Sequence, residues 1–396
     1  MPRILISRWL ALAAFLLVHL GCTAAQSASK NETPAKTETP PAKSESPAAP
    51  ATPAPVRAAP TRPAPVWPTT QFRGADYVDI RDVAARFGLK TVWTRPAQTV
   101  VLKNGNEVRF TFDLGQRDFY FDSLRIFLGE RPQFEKDTLW LAKLDVIKVV
   151  APLFRPIDQL AQFSATTPKT IVLDPGHGGS DPGTENAKVG VNEKTNTLDV
   201  ALRLKKLLEL RGWRVLMVRD KDVELSKNKK IDLAMRADFA NKNNADLFLS
   251  IHFNSAPQSI SGVETFVLPS QFMLSTSDEN GDDMTKTSFP GNRFDFANVL
   301  LGEKLHRALR SGLKIPDRGF KRQRFAVLRT LECPGALVEC GYLSNDAEAR
   351  RVGTAEFRQQ IAESLADGLD TYVATLAAMR TPPATEQPAV AGKGRR

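Results

Sequence analysis

Between Pro168 and about Arg380, short apolar runs alternate with amphipathic stretches, and this alternation constrains the fold more than any other feature of the chain. "TIVLD", "WRVLMVRD", "ADLFLSIHFN", "GVETFVL" and "GALVECGYLSN" read as strands. "NTLDVALRLKKLLELRG", "DLAMRADFANKNN", "FANVLLGEKLHRALRSGL" and "TAEFRQQIAESLADGLDTYVATLAAM" read as helices. In the first helix, Asn196 or Thr197 is the expected cap, Leu198, Ala201, Leu204 or Lys205, and Leu208 form the apolar stripe, and Gly212 is the stop. Strand and helix in turn imply an α/β domain built on a mostly parallel sheet with helices on both faces.

In such sheets, ligands gather where loops leave the carboxyl ends of the strands. His177 follows "TIVLDPG", His252 closes "DLFLSI", and Glu339 closes "GALV"; Glu193 is expected to join them from the turn before the first helix. A lone histidine at a strand end is more often a loop anchor than a ligand. The chain has 4 histidines, however, and two of them cap buried strands. Of the others, His19 falls in the N-terminal leader, and His306, on a helix with no acidic cluster around it, is expected at the surface. Two imidazoles and a carboxylate suit Zn²⁺, and three protein ligands leave a fourth position open for water, as a catalytic site requires. Gly176, Gly178 and Gly179 let the backbone turn close to such a site, and Asp174 or Asp181 is placed to orient a ligand.

These blocks, "IVLDPGHGG", "NEK", "ADLFLSIHFN" and "LVECGYLSN", resemble in order and spacing the signature blocks of zinc-dependent N-acetylmuramoyl-L-alanine amidases of the family 3 type. The resemblance runs from Pro168 to about Ala378 and takes in "MRADFAN", "RGF" and "FAVLR". It implies one Zn²⁺ per catalytic domain, held by His177, Glu193 and His252, with Glu339 as the catalytic glutamate. It further implies hydrolysis of the amide joining N-acetylmuramic acid to L-alanine of the peptidoglycan stem. Cys340 and Phe253 depart from the residues common in the family at their positions, and neither is a proposed ligand. Two other classes share part of this reading: a module that binds peptidoglycan without cutting it, and another zinc hydrolase of cell-wall peptides or sugars.

The remaining chain reads as accessory. Residues 1–25 carry Arg3 and Arg8 ahead of "WLALAAFLLVHL" and the small residues of "GCTAAQ", the pattern of an export signal. Cys22 is either the lipidated cysteine of a lipobox, and so a membrane anchor, or a bystander to ordinary cleavage near Ala24 or Ala25. The expected location is therefore the periplasm or cell envelope. Residues 26–66, nearly all Ala, Pro, Thr, Ser, Lys and Glu, read as a disordered tether; about forty residues at roughly 3 Å each would reach on the order of 100 Å. Residues 67–160 form a small α+β unit, with Asp79 capping a helix over "IRDVAARFG" and a hairpin at Asn104-Gly105. This unit resembles the small N-terminal domain of copper amine oxidases, but it holds no His or Cys and so is expected to bind no copper. Its reading is a wall-polymer or partner binder, or a spacer. Residues 379–396 read as a disordered basic tail.

The formal charge of +10 suits an anionic partner such as a wall polymer. Nucleic acid is not expected, because no arginine-rich helix, aromatic RNA-binding signature or Cys/His finger spacing occurs. A protein activator is left open. The polar stretch from Pro269 to Phe294 is expected as a loop on the substrate side, and Cys333 and Cys340, joined by an extended segment too long for a disulfide, as two free buried thiols.

Overall fold

The computed structural model describes residues 66–381 apart from Arg73, Pro96, Ala97, Glu279, Asp282 and Asp283. The expected export signal with Cys22, the tether up to residue 65 and the tail from residue 382 lie outside the described residues.

The expected strands pair into one sheet, and that sheet continues through the accessory segment. Among the described residues it has 11 strands. Arg214–Met217, Thr170–Pro175, Leu247–Asn254 and Gly335–Tyr342 lie side by side, all parallel. Val263–Val267 follows, antiparallel to Gly335–Tyr342 and parallel to Asp317–Arg322. Asp317–Arg322 then pairs with Leu124–Phe127 at Phe320 and Ile126. From there an antiparallel meander runs through Asp118–Phe121, Glu107–Asp113, Thr99–Asn104 and Lys90–Arg95. The hairpin at Asn104-Gly105 forms as its sequence predicts, with Asn104 opposite Glu107 and Gly105 at φ +56°.

Alternation along each central strand sorts its side chains between two cores. Ile171, Leu173, Leu249, Ile251 and Val338 face one core with Leu204, Leu305 and Leu365 of the helices Glu193–Leu210, Asp295–Leu313 and Ala355–Arg380. Val172, Phe248 and Leu337 face the other, with Ala237 and Ala240 of Lys229–Lys242. The accessory strands send Phe110, Phe112, Phe119 and Phe121 into the first core, where the rings pack at centroid separations from 5.0 to 6.2 Å. The helix Ile80–Arg86 has Asp79 at its cap, accepting from Arg81 N, as expected.

Three expectations are corrected. The first long helix begins at Glu193, not near Asn196, because Asn192 is the cap and accepts from Thr195 N. Asn196 and Thr197 are buried inside the helix, and Glu193 is its first residue rather than part of a preceding turn.

His306 is fully buried, not on the surface. Its Nδ1 lies 3.1 Å from Thr265 Oγ1 and its Nε2 2.9 Å from Asp317 Oδ1, so both ring nitrogens are satisfied inside the core. Its helix is covered by both the sheet and Ala355–Arg380, which an amphipathic stripe alone does not reveal.

The segment from Pro269 to Phe294 is not on the side of the histidines. Val263–Val267 runs antiparallel to the strand that carries Glu339, so the segment leaves from the opposite pole of the sheet. It is pinned there by Arg117, which donates to the carbonyls of Ser275 (2.9 Å), Thr276 (3.3 Å) and Asp278 (2.7 Å). Arg324, just past the end of Asp317–Arg322, holds it too, at 2.6 Å from the carbonyl of Met273. Cys333 and Cys340 are free and buried, in line with expectation.

Candidate metal centre

The first strand stops at "DPGHGG" because the chain there turns through conformations closed to most side chains. His177 itself has φ +62°, the left-handed region that a non-glycine residue enters only when its surroundings hold it there. Its ring points at the start of the helix Glu193–Leu210, so that His177 Nε2 is 3.1 Å from Glu193 Oε1. His252, at the end of the adjacent strand, places Nδ1 2.8 Å from the same oxygen. Donor atoms of His177, Glu193 and His252 all lie within 4.8 Å of one another. Glu339 stands directly opposite His252 in the neighbouring parallel strand. All four residues picked out from the sequence therefore meet at one pole of the sheet.

Electrostatics mark the same spot. Burial opposes a charge on Glu193, yet hydrogen bonds from His177 and His252 hold its carboxyl well below the usual range. Burial would lower the His177 imidazole, but Glu193 and Asp181 raise it above its ordinary value. Glu339 moves the opposite way: burial first, then repulsion from Glu193 and Glu264, pushes it well above the usual carboxylate range. The residue as a whole is half-buried, but its Oε2 is closed to solvent and has no hydrogen-bond partner.

A divalent cation fits this donor set. One carboxylate oxygen already gathers a ring nitrogen from each imidazole, the arrangement of donors around a shared cation. The His177 and His252 side chains remain 18% and 20% exposed, so the cluster can be reached from solvent. Three N and O donors with an open side match a catalytic rather than a structural zinc site.

Of the two aspartates weighed as orienting groups, Asp181 is the one that lies beside a site histidine. Its Oδ2 is 2.9 Å from His177 Nδ1, in a contact bent away from the ring N–H axis. Burial raises the Asp181 carboxyl, but Lys229 and His177 bring it down to about 2. Asp174 instead accepts from Arg236 Nη1 and Ser250 Oγ, both at 2.8 Å.

Two arginines not singled out in the sequence hold the histidine loop. Arg236 donates to the carbonyls of Pro175 (3.1 Å) and His177 (3.0 Å). Arg219 donates to those of Pro175 (2.9 Å) and Gly176 (2.8 Å). The signal for Arg236 was its spacing from Asp232, one helical turn earlier on a face that also carries the buried Ala237 and Ala240.

Two glycines are required by close approach. A Cβ on Gly176 would lie 2.2 Å from His252 Cε1, and one on Gly183, at φ +67°, would lie 2.5 Å from Glu193 Oε2 and 2.7 Å from His177 Cδ2. Gly183→Ala should therefore weaken metal affinity by about 10–100-fold, as loss of a supporting contact around a metal does. Competition against a chromogenic chelator measures this, and unchanged affinity would show that the loop relaxes freely.

The family model described as N-acetylmuramoyl-L-alanine amidase matches residues 171–371, just over half of the chain. Among curated relatives, the amidase AmiC of Escherichia coli is 33% identical over 229 residues, covering 52% of this chain and 53% of its own. The germination-specific N-acetylmuramoyl-L-alanine amidase of Bacillus subtilis is 31% identical over 214 residues, covering 52% of this chain and 79% of its own. An uncharacterized cell wall amidase of Bacillus anthracis is 32% identical over 205 residues, of which the match covers 35% of that protein and 52% of this chain. The chain thus spans about a third to a half of the length of the first of these relatives. The solved N-acetylmuramoyl-L-alanine amidase of Clostridium difficile 630 is 28% identical, with a TM-score of 0.42 over 53% of this chain and 99% of its own. The segment matched by the family model contains His177, Glu193, His252 and Glu339, and the chain belongs to the N-acetylmuramoyl-L-alanine amidase family.

Proposed function

We propose that the protein is a zinc-dependent N-acetylmuramoyl-L-alanine amidase that hydrolyses the amide between N-acetylmuramic acid and L-alanine of the peptidoglycan stem. The observation that carries this reading is the convergence of His177 Nε2, His252 Nδ1 and Glu193 Oε1 beside the orphaned Oε2 of Glu339. His177, Glu193 and His252 would hold one Zn²⁺. A zinc ion held there supplies Lewis-acid polarisation of the scissile carbonyl and makes water acidic enough to deprotonate near neutral pH.

The chain's own groups do the rest. Glu339 accepts the proton of the attacking water and delivers it to the leaving amine nitrogen, without which an amide nitrogen is a very poor leaving group. Asp181 and the Arg236 contact to the carbonyl of His177 keep the His177 ring aimed at the site.

The metal assignment is tested by elemental analysis. Purified protein should carry one zinc per chain, and His177→Ala less than about a tenth of that, since two protein ligands do not make a stable zinc site. Full occupancy in His177→Ala would refute the ligand set.

Around this catalytic unit, residues 1–25 act as an export signal, Cys22 is a candidate lipid anchor, and residues 26–66 act as a tether to a segment at the cell envelope. Among the described residues no helix is long and apolar enough to cross a membrane.

A further inference from the structure

We propose that the accessory part of the sheet carries a second binding site, an uncharged groove for the glycan strand of peptidoglycan, a polymer of N-acetylated amino sugars. The choice of polymer rests on the amidase reading above; the groove itself does not. Phe119, Phe121, Leu124 and Ile126 point into the core, so alternation sends Tyr120 and Arg125 to the other face. That face holds a cavity of about 530 Å³, in the size range of ligand sites.

Its lining selects a class of ligand. Arg95 pairs with Asp113 at 3.1 Å and Arg125 with Asp118 at 2.8 Å, so its two cations and two anions cancel. In a chain of formal charge +10, a neutral groove is poorly suited to anionic lipid or an acidic polymer. The lining is also too polar for an amphipathic helix, which needs an apolar trough.

What it offers is an aromatic plate and amide groups. Tyr120 is 39% exposed, with its ring available for the C–H face of a sugar. The side-chain amides of Gln98 and Gln116 form no hydrogen bond within the described residues, and each can donate to and accept from hydroxyl and acetamido groups. The groove lies on the same continuous sheet as the metal cluster, so a bound strand is held at a fixed offset from the site that would cut its stems.

The probe is chitotetraose, a neutral oligomer of N-acetylglucosamine, titrated calorimetrically into the mature chain. Saturable binding is expected, at least about tenfold weaker in Tyr120→Ala and in Gln116→Ala and unaltered in Glu339→Gln. Both groove residues are exposed, and matching thermal melts confirm that the variants fold. Hydrolysis of a soluble muramoyl-peptide should be unchanged in Tyr120→Ala, while stem release from intact sacculi should fall. No binding up to about 10 mM, or binding indifferent to both groove substitutions, overturns the proposal. If the wild type binds through the groove but releases no stem peptide from either substrate, the groove stands and the amidase reading fails.

Discussion

Glu339→Gln is expected to lower kcat by about 10²–10⁴-fold while leaving zinc content at one per chain, the loss typical of removing a positioned general acid–base. The substitution keeps the size and shape of the side chain but removes its ability to take up a proton. The site favours this test because Glu339 is not among the three converging donors. The carboxyl's neighbours also matter: with Glu193 and Glu264 close by, the neutral amide relieves repulsion, so the variant should fold at least as well as the parent. A rate ratio converted at about 1.4 kcal/mol per factor of ten places the lost stabilisation at roughly 3–6 kcal/mol. Lost zinc together with lost activity would instead make Glu339 a ligand, and near-native turnover would remove it from the mechanism.

The second large effect is expected at Arg236. Its guanidinium is buried and joins Asp174 (2.8 Å), Asp232 (2.7 Å) and the carbonyl of His177 (3.0 Å), tying the helix Lys229–Lys242 to the histidine loop some sixty residues earlier. Arg236→Met removes the cation and strands two buried carboxylates, which should cost about 3–5 kcal/mol of unfolding free energy. The pH dependence has a definite sign. In the parent, burial raises Asp232, but the bond from Arg236 brings it below its ordinary value. Its contribution is therefore present above the ordinary carboxylate range and is lost as pH falls through the depressed value. In the variant an uncompensated buried carboxylate is pushed upward, so acid relieves rather than removes stability. The gap between the two proteins, read from urea unfolding, should be widest near neutral pH and narrow as pH falls toward about 4. A gap that widens on acidification would contradict the ion-pair account.

Much of the site was legible because its residues sit at the ends of strands whose apolar runs are unmistakable. His177 and His252 follow such runs directly, and parallel pairing of neighbouring strands brings those ends together without further information. Glu193 was legible as a member of the cluster but not as a helix residue. The helix start depends on Asn192, a cap that competes with Asn196 and Thr197 on composition alone.

What escaped was set by tertiary packing. The direction of Val263–Val267 cannot be read from its own residues, yet it decides on which pole the Pro269–Phe294 segment emerges. His306 looked like a surface residue until a second helix covered its face. The continuation of the sheet into the accessory strands rests on one pairing, Phe320 with Ile126, between segments nearly two hundred residues apart. Arg219 acts through a carbonyl of the histidine loop, a contact that no motif marks, and Arg236, within "MRADFAN", is marked only by its spacing from Asp232.

The central claim is tested most directly by mass spectrometry of purified peptidoglycan digested with the mature protein, with and without a zinc chelator. The account predicts free stem peptides that begin with L-alanine, released only without chelator, and glycan chains whose acetyl groups are intact in both digests. Shortened stems or deacetylated sugars in their place would contradict the assigned bond while leaving a zinc hydrolase, and release that continues undiminished in chelator would contradict the metal centre itself.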